Sequence, residues 1–314
     1  MAPPWVGHAI KLMEEQKVRT FTRRELTRLL HVNRHELTAP ASLTVGRFIR
    51  SLESAGRLHT RFIHRLAGER VESATTTTRF RPSGELDSSV SLQTRGTPRY
   101  IWDEASTYEV ALTMRTGSYL SHASAVFLHA LTTQIPRTIY VNKEQTPKPA
   151  PGGTLSQAAI DRGFSANPRT SSYLFAYENT RIVLLSGKNT GNLETTDVAD
   201  SNGVPLRVTK LERTLIDITV RPVYSGGIFE VLEAFRGAAE RLSVPTLMAT
   251  LKKLAFIYPY HQAIGFYMQR AGYPESSLQR LDRMPKQFDF YLGHKIINPQ
   301  YDNRWRVYYP AGLE

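Results

Sequence analysis

Across Thr44–Leu66 the spacing of apolar positions changes at Gly56. Before the glycine, Val45, Phe48, Ile49, Leu52 and Ala55 recur at three- and four-residue steps. At about 100° per residue they form one stripe, which predicts a helix starting near Ser42 and closed by Gly56. Beyond it the step becomes two. Leu58, Thr60, Phe62 and Leu66 point one way and Arg57, His59, Arg61 and Arg65 the other, which predicts a strand. Ala67–Arg70 suits a hairpin tip, with a return strand from Val71. Upstream, Val6, Ile10 and Met13 mark a helix over Pro4–Lys17, with proline in its first turn. Thr22 and Glu25 have capping-box spacing and open a second helix whose inner face is Leu26, Leu29 and Leu30.

Residues 71–98 are dominated by Ser, Thr, Gly and Pro and read as a long wing return or linker. From Tyr100 the pattern is mixed. Two helices flank Gly117–Ser118, the second with Ser121 as a plausible N-cap. A strand is predicted at Thr138–Asn142 and a hairpin at Tyr173–Gly187, turning at Asn179–Thr180. A strand at Pro205–Thr209 feeds a helix, with Thr209 and Glu212 as a second capping box. Helices follow at Gly227–Leu242, Pro245–Ile257, Tyr260–Ala271 and Pro274–Met284, then strands at "FDFYL" and "WRVYYP". Without regular βαβ alternation the expected class is α+β: an N-terminal winged helix-turn-helix over 1–98, then a larger mixed α/β domain over 99–314.

Charge sharpens this picture. The formal charge is +12, and residues 1–100 carry 17 Lys/Arg against 9 Asp/Glu. One basic module is therefore expected, and a basic module favours nucleic acid. Three helices and a basic hairpin follow the order of a winged helix. On that reading Arg47 and Arg50 reach a duplex groove, since arginine bonds guanine edges in bidentate fashion. Arg57, Arg61 and Arg65 lie near the sugar–phosphate backbone, with Arg23 at the positive end of the second helix. Ser42 and Thr44, at the start of the third helix, complete the expected DNA-binding set. The alternatives are a solvated basic face or a protein-interaction module.

Several function classes lose support. There is no cysteine, hence no disulfide or thiolate chemistry. The chain lacks a signal-peptide pattern and any run of about 18 apolar residues, so a soluble cytoplasmic protein is expected. His122 and His129 lie seven apart without further ligands at metal-site spacing, which favours packing roles; no metal and no cofactor are expected. Phosphate-loop, G-x-S-x-G and H-E-x-x-H patterns are absent, and Gly226–Gly227 reads as a tight turn. Asp289 and Lys295 lack a second carboxylate in register for a nuclease core. Arg213 and Asp217 form an i,i+4 pair worth about 0.3–0.5 kcal/mol on a surface. Arg137–Pro149 is a basic stretch that suits either a loop presented to a partner or an exposed connection. The chain is expected to be non-enzymatic.

Two motifs carry a resemblance. "YLSHASAVFLHALTTQIPRTIYVNKEQ" supplies Ser121, His122, Ser124, Ala125, Leu128, His129, Leu131 and Thr132, and "KLERTLIDITVRPVYSGG" supplies Glu212 to Asp217. With a winged helix in front, the chain resembles the AbiEi-type antitoxins of bacterial type IV toxin–antitoxin and abortive-infection systems. The resemblance implies a sequence-specific autorepressor that binds double-stranded DNA, at inverted repeats in its own promoter. It implies a second domain that counters a nucleotidyltransferase-like toxin without a stable complex. It brings no catalytic residue. A nuclease in the second domain and an interaction scaffold are the other readings.

Overall fold

The Thr22 hydroxyl accepts from the Glu25 amide, and the Glu25 carboxylate accepts from the Thr22 amide at 2.7 Å. The second helix therefore starts where its capping box predicts. The computed structural model describes residues 3–66, 96–149 and 154–313, so the predicted hairpin tip and the return strand from Val71 lie outside the described residues. Helix α1 (Pro4–Glu14), strand β1 (Thr20–Phe21), helix α2 (Arg23–Val32) and helix α3 (Val45–Ser54) come first. α3 begins at Val45 rather than near Ser42: Thr44 is its N-cap, accepting from the Arg47 amide at 3.3 Å, and Ser42 sits in the preceding turn. The Arg34 guanidinium secures the α2–α3 connection by donating to the carbonyls of Pro40 (2.6 Å) and Leu43 (3.0 Å). Gly56, at φ +72°, closes the turn after α3, a conformation that costs glycine little.

Strand β2 (Leu58–Leu66) is shared. Its residues Leu58–Ile63 pair antiparallel with β3 (Thr97–Trp102), whose other edge carries β1. Its last three residues pair antiparallel with β6 (Leu174–Tyr177). The sheet then runs through β7 (Thr180–Leu185), β5 (Thr138–Asn142), β4 (Tyr119–Leu120), β9 (Pro205–Thr209) and β8 (Thr195–Ala199). Its nine strands stand in the order β1-β3-β2-β6-β7-β5-β4-β9-β8. Among the described residues of this sheet, β5–β7 and β4–β9 pair in parallel and the other neighbours antiparallel. The fold is α+β, as expected.

The sheet is covered on both faces at different places. Leu58, Tyr100 and Trp102 pack on Trp5, Leu26, Phe48 and Leu52 of α1–α3. Further along the same face, Leu66 joins Leu174, Val183 and Tyr224. On the opposite face Ile63, Ile101, Ile139 and Ile182 pack under α4 (Thr107–Leu112) and α5 (Ala123–Leu128). This changes the simple alternation expected for β2. Phe62 shares a face with Leu58 but lies between two cores and is 49% exposed, whereas Ile63, on the arginine side, is 2% exposed.

A helical layer completes the molecule: α6 (Gln157–Ser165), α7 (Leu211–Val220), α8 (Ile228–Ala238), α9 (Val244–Leu254), α10 (Tyr260–Arg270) and α11 (Glu275–Asp282). It packs with a three-stranded sheet of β10 (Phe290–Tyr291), β12 (Val307–Tyr309) and β11 (Gln300–Asp302), around the fully buried Trp305. Gly226 and Gly227, at φ +92° and +116°, form the expected tight turn before α8. Strand β8 and helix α6 were not predicted. Among the described residues no helix is long and apolar enough to cross a membrane.

The second part buries polar groups around the two sequence motifs. His122, not Ser121, is the N-cap of α5, at φ +52°, and the Ser121 hydroxyl meets the His122 Nδ1 at 2.9 Å. His129 stands at the other end of α5, its Nε2 2.6 Å from the Thr209 carbonyl. The second capping box does not form. Thr209 stays in β9, paired with Thr195, and its hydroxyl bonds that of Thr214 at 2.8 Å. Glu212 instead accepts from the amide of Ser243, the N-cap of α9, at 3.1 Å. The Arg213–Asp217 pair, 2.8 Å long, is buried rather than on a surface, so the surface estimate does not apply to it. Arg213 also donates to the Leu193 carbonyl and the Thr190 hydroxyl. Glu144 accepts from the amides of Thr190 (2.8 Å) and Asn192 (3.2 Å) and from the Tyr119 hydroxyl.

Removing one partner of a buried ion pair strands the other charge. Arg213→Ala is therefore expected to cost about 3–5 kcal/mol in urea unfolding; a loss below about 1 kcal/mol would show Asp217 to be solvated. Burial pushes the His122 imidazole down to about 3, and His129, His261 and His294 move down for the same reason. Between the ordinary histidine value of 6.5 and 3, the unfolded chain binds a proton that folded His122 refuses. Stability is therefore full above pH 6.5 and falls as the pH drops, by about 1.4 kcal/mol per unit for one such group. Urea titrations across that window should show a shallower fall in His122→Asn; parallel slopes would exclude His122 as a contributor.

Candidate nucleic-acid interface

Amphipathic packing determines which α3 side chains reach solvent. Phe48, Ile49 and Leu52 face the core, so Arg47 and Arg50 face outward, both exposed. Arg23, in the first turn of α2, reaches the same place. A side chain built at Gly46 would start 3.8 Å from Arg50 Nη1 and 3.9 Å from Arg23 Nη2. Among the described residues no carboxylate pairs with Arg23, Arg47 or Arg50. Local acids are engaged elsewhere: Glu25 closes its capping box, and Glu53 accepts from the Thr60 hydroxyl at 2.5 Å. Ser42 and Thr44 are exposed at the entry to α3. Arg24 and Arg28, one turn apart on α2, are also exposed. Sequence reasoning passed over them, although the "RRELTR" spacing places both on one polar face.

The strand arginines lie elsewhere. Arg61 and Arg65 share the side of β2 that carries Ile63, facing away from the α1–α3 core, whereas Arg57, just ahead of the strand, turns back towards α1. Arg57 is tied to Asp103 (Nε–Oδ1 2.7 Å) and Glu14 (Nη2–Oε1 2.9 Å), and lies over the Trp102 ring at 4.9 Å. Hydrogen bonds to Asp103 and Glu14 raise its pKa, and the Asp103 carboxyl is lowered in return. Two carboxylates therefore hold Arg57 within the fold, unlike the helical arginines. Arg61 is exposed, 3.8 Å from the Glu178 carboxylate, and Arg65 lies 5.5 Å over Tyr173. The structure thus gathers Arg23, Thr44, Arg47 and Arg50 and sets Arg57, Arg61 and Arg65 apart.

The remaining candidates are absorbed by the fold. The Asp289 carboxylate accepts from the Tyr301 hydroxyl at 2.6 Å and from Arg306 at 2.9 Å. The first part of Arg137–Pro149 is β5, with Tyr140 buried, which leaves 143–149 as a loop. Among the described residues no three His, Asp or Glu side chains gather as a metal site.

No protein-family model and no curated protein matches the chain. Among solved structures it resembles the RV2827C protein from Mycobacterium tuberculosis, with a TM-score of 0.52 and 14% identity, over 98% of this chain and 92% of that one. At that identity the likeness is one of fold, and it spans nearly the whole of both chains.

Arg57→Gln is expected to lower the thermal midpoint without changing the salt dependence of any binding to DNA that the chain shows. Arg61→Ala should leave that dependence unchanged as well. A slope reduced by about one unit in Arg61→Ala would return this residue to the phosphate-binding set.

Proposed function

We propose that the chain is a non-enzymatic, sequence-specific DNA-binding repressor and antitoxin of the AbiEi type. The observation that carries the DNA-binding part is the cluster of unpaired, exposed guanidiniums where α3 begins. Helices α1–α3 with strands β1, β2 and β3 form the winged helix, α3 enters the major groove, and Arg47 leads. The antitoxin part is supported by the Ser121–Thr132 and Glu212–Asp217 motifs behind such a module. Its partner is a nucleotidyltransferase-like toxin, countered without a stable complex. In this reading the second part acts as a binding body. Its acids support that view, because Asp217, Glu144 and Asp289 are all occupied by cations or donors of the fold.

The test is binding to a labelled duplex from the DNA upstream of the chain's own reading frame, against scrambled duplex, over a range of salt. A preference of about a thousandfold with a steep salt slope is expected. Equal, weak binding to both duplexes would remove the repressor reading, and metal-dependent cleavage of either would make the chain an enzyme. Arg47→Ala should cost about 1–3 kcal/mol and relax selectivity at one base pair; unchanged discrimination among single-base variants would take Arg47 out of base reading.

A further inference from the structure

Gly46 and Gly265 both sit in helices, and the fold explains only one of them. At Gly265 a Cβ would lie 2.2 Å from a ring carbon of Trp305, so the buried indole requires glycine there. At Gly46 φ is not positive, and a Cβ would meet nothing closer than 3.8 Å. Alanine would fit without strain, and glycine is a poorer helix former than alanine. Packing therefore gives no reason for a bare backbone in the first turn of α3.

The two atoms nearest that missing Cβ supply one. They belong to the guanidiniums of Arg50 and Arg23, which come from different helices and both lie within 4 Å of the same point. Like charges brought together repel, and no described carboxylate stands between them. An anion held by both relieves that repulsion, and guanidinium hydrogen bonds suit phosphate oxygens. A glycine between them lets the anion approach the backbone closely. Building on the DNA-binding reading above, we propose that Arg23, Arg50 and the bare backbone at Gly46 clamp one phosphate of the DNA strand. Arg50 is thereby a positioning contact, and Arg47 is the α3 arginine left to read a base edge.

The full chain can be tested on its own upstream duplex and on scrambled duplex at several salt concentrations. Gly46→Ala should melt at or above the wild-type temperature, yet bind both duplexes about tenfold more weakly. Arg50→Ala should weaken both duplexes equally and reduce the log–log salt slope by about 0.9. Arg50→Lys, which keeps a point charge, should retain most of the slope and all of the selectivity. Wild-type affinity in Gly46→Ala overturns the clamp. So does an Arg50→Ala protein whose selectivity falls while its slope stays. If the wild type binds both duplexes equally, the repressor reading falls and the variants still decide the clamp; if it binds neither, both fall. If the wild type shows that preference and the variants match it, the clamp alone falls.

Discussion

The hydrogen-bond ladder along β2 is the constraint on which the two parts of the molecule depend. Six residues of the strand pair with β3 and three with β6, so one uninterrupted extended segment belongs to both parts. Two polar clasps reinforce the junction. The buried Glu109 of α4 accepts from the Thr20 amide at 2.5 Å and from the Arg19 amide, tying β1 to the second part. Arg99 of β3, 6% exposed, donates to the Thr113 side chain and carbonyl. Burial raises the Glu109 carboxyl and lowers the Arg99 guanidinium, so neither group is there without cost. Hydrogen bonds to buried groups of this kind are expensive to leave unmade, so parting the two sides of the junction would cost free energy.

The shared strand bears on the basic residues. Because side chains alternate across a strand, the arginines at 61 and 65 were bound to share one side of β2. Only the packing decides which side that is. It proves to be the side turned away from α1–α3, where Arg61 and Arg65 approach the β6–β7 hairpin, while Arg57, ahead of the strand, joins Asp103 to Glu14 of α1. The helical arginines keep their freedom because the nearby acids have local work to do.

Features set by neighbours in sequence were legible beforehand. The Thr22–Glu25 box, the Gly56 stop, the β6–β7 hairpin, whose turn falls at Glu178–Asn179 one residue earlier than expected, and the Gly226–Gly227 turn all depend on residues a few positions apart. Features that depend on distant partners were not. Arg57 finds its carboxylates 43 and 46 residues away. Thr209 had the right spacing for a cap, but pairing with Thr195 holds it in the sheet. Phe62 follows the alternation and is still exposed, because coverage depends on where one core ends and the next begins. Strand β8, "TTDVA", is polar at the sheet edge, and α6 contains a glycine, so neither has a strong periodic signal. The meeting of Arg23 and Arg50 depends on how α2 and α3 cross, a geometry in which Arg34 has a part.

Coverage of β2 by cores on opposite sides also limits heredity. Leu58, Ile63 and Leu66 each belong to a different core. Substitutions at exposed positions between them change a surface and little else. A single codon gained or lost between Leu58 and Leu66 is another matter. It would invert every side chain beyond it, turning Leu66 out of its core and carrying the register of β6 with it. Natural variants of this strand should therefore differ by replacement alone, and its length should be inherited unchanged.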